Sequence, residues 1–249
     1  MSVNGKTILI TGASRGIGAA AARAFAEAGA NVVLSARSRD AISSLAESIG
    51  GSAHAVPCDV SRFQDIARAV NVCIDRFGSL DALVGNAAAI EPISHLEKAD
   101  HNAWSQSLDI NVKGVFYGIR AAMPIMRASG GGTIITIGSG AASHALEGWS
   151  SYCASKAAVA MLMLCANKEG RDAGIRAMSL SPGTVATQMQ RKIKASGINP
   201  VSQLDWSEHI PPEWPAKTLV WMCTEDADEF VGREIQLRDS EIRRRVGLI

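Results

Sequence analysis

Nowhere in this 249-residue chain does an uncharged apolar run approach the roughly 18 residues that a helix needs to cross a bilayer, so no membrane span is expected. An excess of either charge is also missing. The 25 Lys and Arg stand against 24 Asp and Glu, which leaves no electrostatic footprint for nucleic acid or an anionic surface. The five cysteines (58, 73, 153, 165 and 223) are odd in number and include no C-x-x-C pair. That argues against a disulfide framework and against zinc or another metal, and points to free, buried thiols in a reducing compartment. No repeat, linker or low-complexity tract divides the chain, and no leader-like segment precedes the strand-like run after Met1-Ser2-Val3-Asn4-Gly5-Lys6. With 47% hydrophobic and 20% charged residues, the expectation is a cytoplasmic enzyme folded as a single domain over residues 1–249.

What the chain does have is alternation. Short apolar runs rich in β-branched residues occur at 7–10, 31–34, 53–56, 80–84, 133–137 and 175–180. Helical patterns lie between them at 16–28, 39–49, 62–77, 112–126 and 151–172. Strand–helix alternation of this kind predicts an α/β fold, a doubly wound parallel sheet with helices on both faces. Such sheets bind ligands at the carboxyl ends of their strands. One stretch breaks the rhythm. Residues 183–213 lack a clean apolar period and carry Pro200, Trp206, His209, Pro211 and Pro212, which fits a substrate loop or lid.

Two segments carry chemistry. Near residue 150 the chain reads Ser150-Ser151-Tyr152-Cys153-Ala154-Ser155-Lys156, with Ser139 thirteen residues before Tyr152 at the end of an apolar run. On a helix, Tyr152 and Lys156 stand one turn apart on the same face. A phenol with an ordinary pKa of about 10 is a poor proton carrier near neutrality. An ammonium beside it and a helix N-terminus both favour the phenolate, so the pair is a candidate acid–base group. The same spacing also describes two unremarkable helix-surface residues. The second segment ends the first strand: Thr11-Gly12-Ala13-Ser14-Arg15-Gly16-Ile17-Gly18. Its glycines let backbone approach a pyrophosphate at a helix N-terminus, although glycines at such a turn can equally serve packing alone.

Taken together, the G-x-x-x-G-x-G turn, Ser139, Tyr152 and Lys156 resemble the short-chain dehydrogenase/reductase (SDR) family. Further matches follow in order: Asp59-Val60, Gly85-Asn86-Ala87-Ala88, Asn111 and Pro182-Gly183-Thr184-Val185-Ala186-Thr187. The resemblance spans roughly residues 5–190 and implies a Rossmann-like fold and a catalytic tetrad of Asn111, Ser139, Tyr152 and Lys156. In that scheme Tyr152 exchanges a proton with the substrate oxygen while a nicotinamide exchanges hydride with its carbon. Lys156 lowers the Tyr152 pKa and holds the nicotinamide ribose. Ser139 orients the substrate oxygen, and Asn111 anchors a water that relays protons to Lys156. Gly12, Ser14, Arg15, Gly16, Ile17 and Gly18 would cradle the pyrophosphate. Asp59 and Val60 would flank the adenine, Asn86 and Ala87 would close the fourth strand, and Pro182, Gly183, Val185 and Thr187 would face the nicotinamide.

Family members that select NAD carry an acid at the end of the second strand. Here Ala36 is neutral, and Arg37 and Arg15 offer charge-assisted bonds to a 2′-phosphate. NADP(H) is therefore favoured, with NAD(H) the alternative. The helix after Tyr152 (Ala157 to Ala166) is apolar all round, which predicts a homodimer or homotetramer. The Asp-Gly-Gly turn that closes many relatives is replaced by a charged segment over 238–249, whose three arginines read as solvated or interfacial. The first 190 residues resemble bacterial 3-oxoacyl-[acyl-carrier-protein] reductases. That leaves a carrier-protein or CoA thioester, with Lys113, Arg120, Arg127 and Lys168 as a basic docking surface, beside a small carbonyl or alcohol as the expected substrate. A dinucleotide-binding redox sensor or scaffold without turnover is the alternative function.

Overall fold

Five consecutive buried residues, Thr7–Thr11, form the first strand (β1), as expected of a strand covered on both faces. In the computed structural model, which describes residues 2–249, six more strands join it: β2 (Asn31–Ala36), β3 (Ala53–Pro57), β4 (Ala82–Gly85), β5 (Gly132–Ile137), β6 (Ile175–Ser181) and β7 (Glu234–Gln236). All pair in parallel, in the order β3-β2-β1-β4-β5-β6-β7. The chain runs outward from β1 to β3 and then returns to place β4 on the other side of β1. That reversal opens a crevice at the carboxyl ends of β1 and β4, the position where doubly wound sheets bind nucleotides. This is the doubly wound parallel sheet that the alternation predicts, in the Rossmann-like form that the resemblance implies.

The helices are α1 (Gly16–Glu27), α2 (Arg39–Ile49), α3 (Phe63–Phe77), α4 (His101–Leu108), α5 (Gly114–Ala128), α6 (Ser150–Gly170), α7 (Gln188–Ser196), α8 (Glu213–Met222) and α9 (Ser240–Val246). Alternation along β1 splits the core in two. Ile8 and Ile10 pack with Phe25, Leu34, Ile42, Leu219 and Ile235 beneath α1, α2 and α8. Leu9 points the other way, to Val70, Ile119, Met126, Ile134 and Val159 beneath α3, α5 and α6. Each such side chain contributes about 1.5–3 kcal/mol through burial, so both faces of the sheet are firmly covered.

The fold departs from the sequence pattern in four places. The helix expected to begin at 112 is preceded by α4, whose N-terminus is capped by Asp100 accepting the Ala103 N–H at 2.8 Å. A single widened π-turn, Asp109–Lys113, links α4 to α5 and carries Asn111, a feature frequent at functional sites. Residues 183–213 are ordered into α7 and two 3₁₀ turns, Pro200–Gln203 and Trp206–Glu208. Their ends are joined where Ala186 N–H donates to Ile210 O (2.9 Å) and Ile210 N–H to Thr184 O (3.1 Å). The charged C-terminus is α9, and two of its arginines are struts rather than solvated charges. Arg243 donates to Leu237 O at 2.8 Å with its guanidinium 5.1 Å from the Trp214 ring centre. Arg245 lies 5.4 and 5.2 Å from the Trp221 and Phe230 rings and pairs with Glu229 at 2.7 Å. Arg244 pairs with Glu241 on the surface. The cysteines are free, with 58 and 73 buried, but Cys165 is exposed because it falls on the outer face of α6. Among the described residues no helix is long and apolar enough to cross a membrane, and no group of ligating side chains could hold a metal ion.

Candidate active site

The glycine turn between β1 and α1 is built by close packing of backbone on backbone. Gly12 has φ +67° and Gly16 φ +57°, both in the left-handed region. A Cβ on Gly12 would lie 2.8 Å from Ala87 Cα, and one on Gly18 would collide with the Gly12 carbonyl and come within 2.6 Å of Asn86 Nδ2. Asn86 stitches the two strand ends together, its Nδ2 donating to Thr11 O (2.9 Å) and Gly12 O (3.1 Å). Thr11 Oγ1 accepts from the backbone N–H of Asn86 and Ala87 at 3.1 and 3.2 Å. Sequence reasoning missed Thr11, although a threonine at the end of a buried strand next to an Asn-Ala turn is a legible signal. Arg15 is the N-cap residue of α1, yet no side chain caps this helix and no acid sits in its first turn. Its first N–H groups and partial positive charge therefore face the crevice, the arrangement that suits a phosphate group.

Around that turn the other expected cofactor residues fall into place unevenly. Ser14 and Ile17 are half-buried beside the glycines. Arg15 and Arg37 are exposed, and neither has a hydrogen-bond or ion-pair partner among the described residues. Asp59 uses Oδ1 on Ser61, accepting its N–H at 3.0 Å and its hydroxyl at 2.7 Å. Val60 is buried against Gly114 and packs with Cys58, Ile66 and the partly buried Ala87. Across the crevice, Pro182 is buried and Gly183 takes φ +77°. Val185 is buried, and Thr187 begins α7 with its methyl close to Gly16. An open cleft of about 580 Å³ runs on from there, walled by Gly16, Thr187, Gln188, Arg191 and Trp206.

Ser139, Tyr152 and Lys156 converge where β5 ends and α6 begins. Ser139 starts a short 3₁₀ turn and its Oγ accepts the Ala141 N–H at 3.2 Å. Tyr152 and Lys156 are both buried, one turn apart on the inner face of α6 as their spacing predicts. Burial pushes the Tyr152 phenol up to about 12, opposed by a hydrogen bond from Ser139. Burial pushes Lys156 down to about 8, opposed by the negative charge of Glu234. The expected lowering of the phenol by the ammonium is thus reversed. Lys156 Nζ donates to Ile137 O at 2.6 Å and lies 5.4 Å from the centre of the tyrosine ring, while desolvation of the phenolate dominates. Asn111, buried in the π-turn, joins the β4 loop to α6. Its amide exchanges hydrogen bonds with Ala89 N–H and C=O, both at 2.8 Å, and reaches Ser155 Oγ at 3.2 Å.

Three further features were not legible in the sequence. Tyr152 stands among apolar side chains: Ile90, Ala141, Trp149 and Ile193, with Ile93, Leu146, Met189 and Val201 around them. Trp149 meets the phenol edge-on at 5.7 Å. On the surface, Lys192 of α7 pairs with Glu91 of the β4 loop. From β7, Glu234 reaches the backbone of Ser139. These residues are scattered in sequence and only the fold unites them.

Known proteins resemble this chain in sequence and in fold. The sequence profile described as short chain dehydrogenase matches residues 6–197. An uncharacterized oxidoreductase of Staphylococcus haemolyticus is 32% identical over 226 residues, covering 90% of this chain and 94% of the relative. A cyclohexanol dehydrogenase of an Acinetobacter species is 29% identical over 237 residues, covering 93% and 92%. The crystal structure of a 3-ketoacyl-(acyl-carrier-protein) reductase from Brucella melitensis, complexed with NADH, superposes with a TM-score of 0.84 at 26% identity, covering 95% and 98%. With its sheet order, its glycine turn and these relatives, the chain belongs to the short-chain dehydrogenase family of oxidoreductases.

Proposed function

We infer that the protein is an NADP(H)-preferring reductase that converts an apolar ketone or aldehyde to the alcohol, with Tyr152 as proton donor. The observation that carries this reading is the convergence of Ser139, Tyr152 and Lys156 where β5 ends and α6 begins, with Tyr152 set among apolar side chains. Burial keeps the Tyr152 phenol in its protonated form, the form that donates to a substrate oxygen. Ser139 Oγ donates a hydrogen bond to the same oxygen, so two donors already face the atom on which negative charge builds. Lys156 holds the nicotinamide ribose and returns a proton to Tyr152. Asn111, tied to both the β4 loop and α6, anchors the water that supplies Lys156 from solvent. The hydride is the one component these side chains cannot supply; a nicotinamide dinucleotide brings it when bound.

The residues present fit that dinucleotide. Gly12, Ser14, Gly16, Ile17, Gly18 and the uncapped start of α1 take the pyrophosphate. Asp59 and Val60 take the adenine, Asn86 and Ala87 the fourth strand's approach, and Pro182, Gly183, Val185 and Thr187 the nicotinamide. Ala36 together with the unengaged Arg15 and Arg37 supports a 2′-phosphate over a bare ribose.

For the substrate, the apolar surroundings of Tyr152 support a small uncharged carbonyl. A 3-oxoacyl thioester is the second reading, supported by the likeness to the Brucella enzyme. Its carrier-protein form is weakened because much of the supposed basic surface is already engaged. Lys113 pairs with Asp109 at 2.6 Å, Arg120 lies over Phe63, and Arg127 donates to Glu169 O. A homo-oligomer, dimer or tetramer, is part of the proposal, since Met161 and Leu164 on α6 and Phe116 on α5 are exposed. The deciding experiment is NADPH oxidation by wild type and Tyr152→Phe against apolar ketones and β-ketoacyl thioesters. Wild type should reduce an apolar ketone, and the variant should lose about 10³-fold in kcat while still binding NADPH. Tight NADPH binding with no turnover of any carbonyl would favour the sensor or scaffold.

A further inference from the structure

Trp149 stands where an indole does nothing for the helix it begins. It is the N-cap residue of α6, where Ser, Thr, Asp or Asn would bond a free N–H of the first turn, and its side chain caps nothing. Its backbone is already used: the N–H donates to Leu146 O at 3.1 Å, and the C=O accepts the Cys153 N–H at 2.8 Å. Trp149 is 5% exposed and sits edge-on to Tyr152 in the hydrophobic cluster around that phenol. There its Nε1–H is buried without a hydrogen-bond partner among the described residues. A phenylalanine would make the same ring contact without stranding a donor. A second polar atom is stranded on α7, which packs Met189 and Ile193 into the same cluster. Gln190, one turn before Ile193 on that helix, buries its Oε1 without a partner among the described residues. Buried polar groups in native proteins are paired, so an unpaired donor and acceptor around one catalytic side chain need a ligand that pairs them.

We propose that Trp149 and Gln190 set substrate specificity by holding a hydroxyl group of the substrate, so that the preferred carbonyl compound is a hydroxyketone or hydroxyaldehyde with an otherwise apolar skeleton. The inference deepens the reductase reading of Tyr152 and rests on it. A hydroxyl fits both atoms, since it accepts from the indole N–H and donates to the amide oxygen. A second carbonyl only accepts and would leave Gln190 unpaired, while an ammonium only donates and would leave Trp149 unpaired. A lone water would find few further partners among the apolar side chains of the cluster. The reacting oxygen goes to Ser139 and Tyr152, and the hydroxyl gives the skeleton a second fixed point that orients the carbonyl for reaction.

The test compares kcat/KM for cyclohexanone with that for its hydroxy-substituted positional isomers, at saturating NADPH, in wild type, Trp149→Phe and Gln190→Met. Phe keeps an aromatic ring and Met keeps the side-chain length, and each removes one polar group. In wild type the best hydroxy isomer should exceed cyclohexanone by about 100-fold, and each variant should cut that ratio by about tenfold. The ratio separates the proposal from a packing role, because a purely structural residue lowers both substrates together. In parallel, the indole N–H signals of tryptophan-labelled Tyr152→Phe are followed by NMR with NADP+, where turnover is blocked in both directions. The signal that disappears when Trp149→Phe is added to that background should move with a hydroxycyclohexanone and stay in place with cyclohexanone. If it moves while wild type turns over no carbonyl, the hydroxyl site stands and the reductase reading falls. Turnover with no preference for any hydroxy isomer, or a ratio unmoved in both variants, overturns the proposal and leaves the reductase reading intact. An indole signal indifferent to every isomer overturns the proposal as well, whether or not wild type is active.

Discussion

The glycine turn and the surroundings of Tyr152 are held together by opposite means. On the nucleotide side, backbone packs on backbone: Gly12 and Gly18 meet Ala87 and Asn86 at distances that leave no room for one more carbon. Around Tyr152, Ile90, Trp149, Met189 and Ile193 fill space with side chains, and a surface pair between Lys192 and Glu91 joins α7 to the loop after β4. The first kind of packing is all-or-nothing, because a methyl group either fits or displaces a strand end. The second is graded, since apolar volumes can be exchanged while the backbone stays where it is.

That contrast can be broken at several points. The largest effect is expected from Gly18→Ala, whose new methyl would collide with the Gly12 carbonyl. Urea unfolding should show a loss of about 3 kcal/mol, with dinucleotide binding weakened as well. Arg37→Ala should come next, raising the Kd for NADPH by about 10- to 100-fold in a fluorescence titration while leaving that for NADH unchanged. Equal effects on both cofactors would remove the case for a 2′-phosphate contact. Around Tyr152, Ile193→Ala should lower kcat/KM for an apolar ketone by about tenfold with no change in the NADPH Kd. Were the cofactor affinity to fall equally, the two regions would not be independent. The smallest effect belongs to Lys192→Ala, because both partners of that pair are largely exposed. Stability should stay within about 1 kcal/mol of wild type in the same unfolding assay.

The same contrast decides what could be read in advance. Backbone constraints leave signatures, so Gly12, Gly16 and Gly18 and the strand that precedes them were visible at once. Tyr152 and Lys156 were placed on one helical face by spacing alone. Burial leaves no such mark on a four-residue spacing, which is why the expected direction for the Tyr152 phenol was reversed. Helix α4 escaped notice because His101-Asn102-Ala103-Trp104-Ser105-Gln106-Ser107-Leu108 buries only Ser107, and the π-turn after it breaks the register of α5. Ile193 lies far in sequence from Tyr152 and reaches it only through the fold of α7, and Glu234 reaches Gly138 only through strand pairing. The three arginines near the C-terminus looked like a solvated run because the aromatic rings that Arg243 and Arg245 lie against come from other segments.

One joint described above reaches beyond this molecule. Because Ala186 and Ile210 are stitched to each other, everything between them enters and leaves the fold through a single pair of hydrogen-bonded strand ends. The loop is already closed at its base, so lengthening or replacing its interior adds little closure entropy and leaves the sheet register alone. The segment is in effect a cassette. Residues 188–209 can be exchanged, by evolution or by design, while Thr187 keeps its methyl against Gly16 and the glycine turn stays as it is.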